Sequence, residues 1–292
     1  MTEEKAKMPL RSPLRYPGGK AFLCEYVERF LKLNKLTPEL FIEPFAGGAS
    51  TSLHLLGKGL VKKIALCDKD PLVAGFWQTV FKDEDGDWLR RKVRTTKVTL
   101  TEWERQHAKA PKDKRENAWK CLFLNRTSFS GILMTHAGPL GGKAQTSDYT
   151  VDCRFYRDTV AQRLKELRGK RTHVVRVAQA DWRATLDWGV QKSNGNQSAL
   201  IYLDPPFFHK AERLYNFVFG MEEHEAVVKR LAELKTPWLL SYDDCEEVVA
   251  LLKKYGLKHK RISVRYTSSA KQQREEKREL VASNLKLPKG EM

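Results

Sequence analysis

The sequence predicts an α/β fold in which a mostly parallel sheet is interrupted by an inserted, mainly helical domain. Short apolar segments alternate with segments of helical periodicity, as expected for strands and helices that pack in layers. The predicted strands are residues 39–43, 63–67, 173–179, 199–203 and 237–241, followed by an antiparallel hairpin of 259–265 and 279–284. The predicted helices are residues 22–33, 50–56, 72–81, 222–234 and 244–255.

The alternation stops between residues 86 and 169, where the pattern is helical and rich in turns. We therefore predict one domain formed by residues 1–85 and 170–292, and an insert formed by residues 86–169.

Basic charge is concentrated in two segments. The chain carries 53 Lys and Arg against 36 Asp and Glu, a net charge of +17. Residues 86–171 contain 20 basic and 9 acidic side chains, and residues 253–279 contain 10 and 3. Clustered basic charge predicts a nucleic-acid partner, because phosphate neutralisation releases condensed counterions.

Other classes of protein fit the composition poorly. No apolar stretch reaches the ~18 residues of a membrane-spanning helix, and residues 1–10 lack the apolar core of a signal peptide. The seven histidines show no HxxxH or HxH spacing, and the five cysteines form no CxxC pair. We expect a cytoplasmic protein with reduced thiols, no membrane association and no metal.

A glycine-containing turn after the first strand predicts a cofactor site. Residues 41–49 (FIEPFAGGA) run from a strand into a helix, and glycines there let a ligand approach the backbone. Asp68 ends the next strand, where a carboxylate can accept hydrogen bonds from a ribose. Upstream, Lys20 in residues 14–20 (LRYPGGK) can neutralise a carboxylate. Nicotinamide cofactors and S-adenosylmethionine both satisfy these features.

The most specific motif is the strand at residues 199–203 followed by Asp204, Pro205, Pro206 and Phe207. Ligands of open α/β sheets bind at the carboxyl ends of strands. Two prolines stiffen the loop, so that the Asp204 carboxylate and the Pro205 carbonyl can both accept hydrogen bonds from one exocyclic amine. Phe207 can stack on a base taken out of a duplex.

Together these segments resemble the DNA adenine methylase family, the alpha-type amino-methyltransferases. The similar segments are residues 15–20 (RYPGGK), 43–49 (EPFAGGA), 124–131 (LNRTSFSG), 204–207 (DPPF) and 279–284 (ELVASN). The resemblance implies a seven-stranded Rossmann-like methyltransferase sheet, with the insert as target-recognition domain. It also implies transfer of the methyl group of S-adenosylmethionine to N6 of a flipped adenine in double-stranded DNA.

The resemblance also assigns residue roles. The catalytic residues would be Asp204, Pro205, Pro206 and Phe207. The cofactor-binding residues would be Tyr16, Lys20, Glu43, Pro44, Phe45, Ala46, Gly47, Gly48, Ala49, Asp68, Asp181 and Asp204. The expected DNA contacts are Asn125, Arg126, Ser128 and Ser130 in the insert, and Lys271 and Arg274 in the predicted hairpin loop. Asparagine and arginine read adenine and guanine edges, although Arg126 fits a phosphate contact equally well.

Two positions depart from the family's usual pattern. Phe207 stands where the family usually has tyrosine, so the stacking ring is kept and a hydroxyl is lost. Ala49 stands where many relatives have glycine, which raises the prospect of an altered cofactor affinity.

Several alternatives stay open at this point. The closest is cytosine N4 methylation, although Asp204 favours adenine, since serine is commoner there in cytosine enzymes. Methylation of RNA or of a protein amide, an inactive DNA-binding regulator and a nicotinamide dehydrogenase fit less of the chain. The sequence does not give the recognition sequence, for which GATC is a family-based guess. It also does not give a companion restriction enzyme, a bacterial or phage origin, or the oligomeric state, although we expect a monomer.

Overall fold

The computed structural model describes residues 8–16, 20, 23–193, 198–209, 211–265 and 276–289. Its strands are β1 (Leu40–Glu43), β2 (Lys63–Asp68), β3 (Val174–Gln179), β4 (Ala199–Leu203), β5 (Trp238–Asp243), β6 (His259–Arg265) and β7 (Glu276–Ser283). Its α-helices are α1 (Cys24–Leu33), α2 (Ser50–Lys58), α3 (Pro71–Phe81), α4 (Asp83–Thr95), α5 (Leu100–Ala108), α6 (Lys114–Thr127), α7 (Arg157–Arg168), α8 (Trp182–Ser193), α9 (Met221–Glu233) and α10 (Glu246–Lys254).

The strands form one seven-stranded sheet in the order β3-β2-β1-β4-β5-β7-β6. The first five run parallel, and β7 is antiparallel to both β5 and β6. The α/β fold class and the seven-stranded Rossmann-like methyltransferase sheet predicted from the sequence are thereby confirmed. The chain leaves β1 toward β2 on one side and returns to β4 on the other, so a switch point of the kind that holds ligands lies between β1 and β4.

Both faces of the central strands β1, β2, β4 and β5 are covered, which explains why these strands read as apolar runs. Neighbouring residues of β1 point to opposite faces: Phe41 belongs to one hydrophobic cluster and Ile42 to the other. All five residues of β4 are buried. The sheet is therefore rigid where its carboxyl ends carry polar side chains.

The segment between α3 and β3 is helical, as predicted, but its core is continuous with that of the sheet. Trp103, Trp119 and Phe155 belong to the same cluster as Phe41 and Trp77. The predicted boundary at residue 86 falls inside α4, and the one at 169 lies directly after α7. The division into two domains remains a prediction.

One helix next to the site was not predicted. α8 follows Asp181, whose carboxylate accepts a hydrogen bond from the Arg183 backbone N–H at 2.9 Å, as a helix-capping residue does. Within the described ranges, no helix combines the length and apolarity that a membrane span requires.

Candidate active site

A cavity opens at the carboxyl ends of β1, β2 and β4; together with its open mouth it encloses about 880 Å³ of empty space. Thirteen of the predicted site residues line it: Tyr16, Lys20, Glu43, Pro44, Phe45, Ala46, Gly47, Gly48, Ala49, Asp68, Asp204, Pro205 and Pro206. The fold therefore brings together four separate parts of the sequence, at residues 16–20, 43–49, 68 and 204–206.

The glycine-containing loop forms one wall of the cavity, and Tyr16 packs closely against it. A Cβ on Gly47, whose φ is +44°, would lie 2.8 Å from Cε1 of Tyr16, and one on Gly48 would lie 3.0 Å from Tyr16 Cβ. The indole N–H of Trp77 donates to the Gly47 carbonyl at 2.9 Å. Ala49 has a φ of +49°, a left-handed conformation that glycine adopts more easily.

Two carboxylates line the cavity beside this loop. The Asp68 carboxylate accepts hydrogen bonds from the backbone N–H groups of Gly47 and Asp70, both at 2.9 Å. Burial, with the nearby Asp70, raises the pKa of Asp68 to about 7. Burial also raises the pKa of Glu43 to about 8, and one of its oxygens accepts the Ser52 N–H at 3.2 Å. An acidic, partly desolvated cavity of this kind favours a cationic ligand.

Asp204 lies at the centre of a buried polar network. Its Oδ1 accepts the Ser241 hydroxyl at 3.0 Å, and the Ser241 oxygen in turn lies 2.9 Å from the Tyr202 hydroxyl. The Lys20 ammonium lies 3.6 Å from Asp204 Oδ1 and 2.8 Å from Oε2 of Glu279. Burial raises the Asp204 pKa to about 6, while Lys20 and the Ser241 hydrogen bond lower it.

Two predicted site residues lie beside the cavity and do not line it within the described part of the chain. The Phe207 ring centroid lies 5.0 Å from Lys20 Nζ and 6.1 Å from the Tyr215 ring centroid. Asp181 lies at the rim, 3.7 Å from Lys69 Nζ, and its neighbour Trp182 lines the cavity instead.

Sequence reasoning missed several lining residues. They are Ser50, Thr51, Lys69, Asp70, Trp182, Tyr202, Tyr215, Asn216, Phe217 and Phe219. Asp70 carried a signal, because it precedes Pro71 as the N-cap of α3 and accepts the Leu72 N–H at 2.8 Å. Its other oxygen accepts the Asn216 side-chain N–H at 2.9 Å. The aromatic run at residues 215–219 is a second signal for this part of the cavity in the sequence.

The structure changes the interpretation of three predicted DNA contacts. Asn125 is fully buried; its amide accepts the Arg15 backbone N–H at 2.6 Å and donates to the Gly131 carbonyl at 3.0 Å. Ser128 is buried as well and accepts the Trp103 indole N–H at 3.0 Å. These two side chains maintain the fold of the insert and are not presented to a base.

Arg126 is 3% exposed, and its Nε is without a partner among the described residues. Burial, with Arg163 and Arg15 nearby, lowers the pKa of its guanidinium to about 10. Positive charges crowded in this way favour an anion more than a base edge. Ser130 is exposed at a φ of +54°, and Lys271 and Arg274 lie outside the described residues.

The comparison with known protein families decides the general activity. A family model described as D12 class N6 adenine-specific DNA methyltransferase matches residues 16–268. The chain belongs to this family. Membership means methylation of adenine in DNA with S-adenosylmethionine as the methyl donor, and it removes the nicotinamide dehydrogenase alternative. The matched range includes the glycine-containing loop, the insert and Asp204.

Proposed function

We propose that this chain binds S-adenosylmethionine in the cavity and methylates N6 of an adenine that has been flipped out of double-stranded DNA. The observation that carries this proposal is the position of Asp204. Its carboxylate lines the cavity at the end of β4, beside the glycine-containing loop, with Oδ1 already occupied by protein donors.

The cavity suits the cofactor in shape and charge. The absence of side chains at Gly47 and Gly48 lets Tyr16 pack directly against the loop, so that the loop and the Tyr16 ring line the cavity together. Asp68 would hold the ribose, and the buried carboxylates of Glu43 and Asp68 favour a ligand with positive charge. When bound, S-adenosylmethionine supplies an activated methyl group on a positively charged sulfur.

Lys20 also lies close to two carboxylates of the protein itself. Its ammonium is 2.8 Å from the buried Glu279 and 3.6 Å from Asp204, whose side chain is 23% exposed. Two neighbouring carboxylates without a cation tend to retain a proton. Lys20 therefore favours the ionised form of Asp204, in addition to its proposed contact with the cofactor's carboxylate.

The direction of the hydrogen bonds supports an ionised Asp204. Burial and the neighbouring Asp204 raise the pKa of Tyr202 well above its ordinary value, so its hydroxyl stays protonated. Tyr202 can then donate to the Ser241 oxygen, and Ser241 can donate to Asp204 Oδ1. The hydrogen bonds that reach Asp204 from described residues end on Oδ1, which leaves Oδ2 for the target amine.

Methyl transfer then depends mainly on orientation. Asp204 Oδ2 and the Pro205 carbonyl accept the two N–H groups of the adenine amine, which turns the nitrogen lone pair out of the ring. Phe207 lies next to Lys20 and Tyr215 at this point and offers a face for stacking. Holding both reactants in one geometry supplies much of the acceleration, and no covalent enzyme intermediate is required.

The insert provides the DNA-binding surface. Phe129 is 66% exposed, beside a backbone turn in which Ser130 and Gly131 both have positive φ. An exposed aromatic ring held on a constrained turn is suited to inserting into a base stack. Arg15 and Arg163, the partly exposed neighbours of the buried Arg126, are suited to a backbone phosphate.

Mass spectrometry of nucleosides tests the proposal. Unmethylated duplex DNA is incubated with the protein and S-adenosylmethionine, and the digest is compared with that from Asp204→Ala. N6-methyladenine that disappears in the variant supports the proposal. N4-methylcytosine would change the base but keep the site, and DNA binding without any methylated nucleoside would favour the non-catalytic regulator. A monomeric state remains a prediction.

A further inference from the structure

We propose that His209, Cys245 and Glu247 form a binding site for Zn²⁺ that is separate from the methyl-transfer cavity. The His209 ring nitrogen, the Cys245 sulfur and a Glu247 carboxylate oxygen all lie within 4.8 Å of one another. None of these three side chains lines the cavity among the described residues. The proposal concerns metal binding only and does not rest on the methyl-transfer reaction.

The distances between the donor atoms already approach those around a metal ion. His209 Nε2 lies 3.2 Å from Glu247 Oε1, and the Cys245 sulfur lies within 4.8 Å of both side chains. Ligands at ~2.0–2.3 Å from a tetrahedral Zn²⁺ are separated by roughly 3.3–3.8 Å. A small movement of the side chains therefore suffices to place an ion among the three.

The donor set selects the metal. One nitrogen, one sulfur and one oxygen suit Zn²⁺ or Co²⁺, whereas Mg²⁺ and Ca²⁺ require mainly oxygen ligands. The side chains of His209 and Glu247 are 55% and 40% exposed, so an ion can reach the site and keep water as a fourth ligand.

The local charge also favours a cation. The turn from β5 into α10 carries Asp243, Asp244, Glu246 and Glu247 in five residues, and Arg261 forms ion pairs with only two of them. The negative charge left at this turn offsets the unfavourable effect of the α10 N-terminus on a cation.

The site would join two parts of the chain that matter for the cavity. His209 follows the segment 204–207, and Cys245 and Glu247 lie at the start of α10, just after β5. The two parts are already linked, because the Phe208 backbone N–H donates to Asp243 at 3.0 Å. A bound ion would add a second link and fix the beginning of the loop that carries Tyr215 and Asn216.

Titration with Co²⁺ tests the proposal, because a thiolate bound to Co²⁺ produces a charge-transfer absorption band. We expect one Co²⁺ per chain with this band, and its displacement by Zn²⁺, which binds such sites more tightly. Cys245→Ser should abolish the band, and His209→Gln should weaken Co²⁺ binding at least tenfold. Cys153→Ser removes another partly exposed cysteine and should leave the band unchanged.

Thermal unfolding provides a second readout that does not depend on colour. Zn²⁺ should raise the melting temperature of the unmodified protein and of Cys153→Ser, but not that of Cys245→Ser. If Cys245→Ser melts normally without metal yet retains the Co²⁺ band and the Zn²⁺ stabilisation, the proposal is wrong. Absence of the band in the unmodified protein would overturn it as well.

Discussion

The Ser241 hydroxyl donates a 3.0 Å hydrogen bond to Oδ1 of Asp204, a contact that the strand register produces. Leu203 of β4 pairs with Leu240 of β5, so the two residues that follow them, Asp204 and Ser241, lie side by side at the carboxyl edge of the sheet. Asp204 is thereby tied to a neighbouring strand as well as to its own loop. The contact fixes both the orientation of the carboxylate and its affinity for a proton.

Replacing Ser241 should therefore change the pH dependence of methyl transfer. The rate should rise with pH through the Asp204 pKa of about 6, because only the ionised carboxylate accepts the amine proton. Ser241→Ala removes a hydrogen bond that lowers this pKa, so the acid limb should move upward by about one pH unit or more. Single-turnover rates from pH 5 to 9 measure the shift.

Ser241→Thr is the matched control, since it keeps the hydroxyl and should retain the original acid limb. A uniform loss of rate in Ser241→Ala at every pH, with the limb unmoved, would show that Ser241 acts only through packing.

The cavity carboxylates should make the cofactor-free protein less stable as the pH rises. Burial raises the pKa of Glu43 to about 8 and that of Asp68 to about 7, above the unfolded values of about 4. Between these limits the folded chain holds more protons than the unfolded chain, so the free energy of unfolding falls with increasing pH. This stabilisation is fully present below pH ~4, falls as the pH rises, and is lost above pH ~8.

Denaturant unfolding at pH 6, 7 and 8 checks this prediction. Glu43→Gln should flatten the slope by at most about 1.4 kcal/mol per pH unit, the effect of one proton. Glu39→Gln, at an exposed carboxylate on the preceding turn, should leave the slope unchanged. Equal slopes in all three proteins would refute a role for Glu43.

Gly47 should be required for cofactor binding and not only for folding. Gly47 and Gly142 both have positive φ, +44° and +71°, so alanine at either position should cost roughly 1–2 kcal/mol of stability. Only at Gly47 would the new Cβ meet a side chain, Tyr16 at 2.8 Å, whereas Gly142 faces open space.

Isothermal titration with S-adenosylmethionine distinguishes the two variants. We expect Gly47→Ala to weaken binding at least tenfold and Gly142→Ala to bind normally. Equal affinities in the two variants would remove the glycine-containing loop from the cofactor site.

Phe129 should contribute to activity on DNA and not to the stability of the fold. Because its side chain is 66% exposed, Phe129→Ala should unfold at nearly the same temperature as the unmodified protein. Loss of one stacking contact corresponds to about 1–3 kcal/mol, so kcat/KM for duplex DNA should fall roughly tenfold or more. Leu33→Ala, at an exposed apolar residue on α1, is the control and should retain full activity. Unchanged kinetics in Phe129→Ala would contradict the proposed insertion.

The sequence was sufficient for the central strands β1, β2, β4 and β5 because they are buried on both faces and therefore read as apolar runs. It was also sufficient to locate the glycine-containing loop and Asp204, because each belongs to a short continuous motif. The partners of Asp204 were not predictable in the same way. Ser241 contacts Asp204, and Glu279 binds the same Lys20 ammonium, only through the order and register of β4, β5 and β7. The same holds for His209, Cys245 and Glu247, whose sequence spacing resembles no metal motif.

The predicted DNA contacts show a different limit of sequence reasoning. Asn125 and Arg126 have the right chemistry for reading bases, but they lie on α6 within the core of the insert. Residue type gives the possible hydrogen bonds, whereas burial decides whether they are made to DNA or to the protein. Exposure identifies Phe129 and Ser130 as the better candidates on this turn.

The central claim is that Asp204 acts on the target amine, and single-turnover methyl transfer from a preformed protein–cofactor–DNA complex tests it most directly. We predict that Asp204→Ala lowers this rate at least a hundredfold, since charge-assisted contacts made at the reacting atoms contribute about 3–4 kcal/mol. The affinities for S-adenosylmethionine and DNA should stay within about tenfold, because other residues line the cavity and contact the duplex. A rate within a few-fold of the unmodified protein would contradict the account.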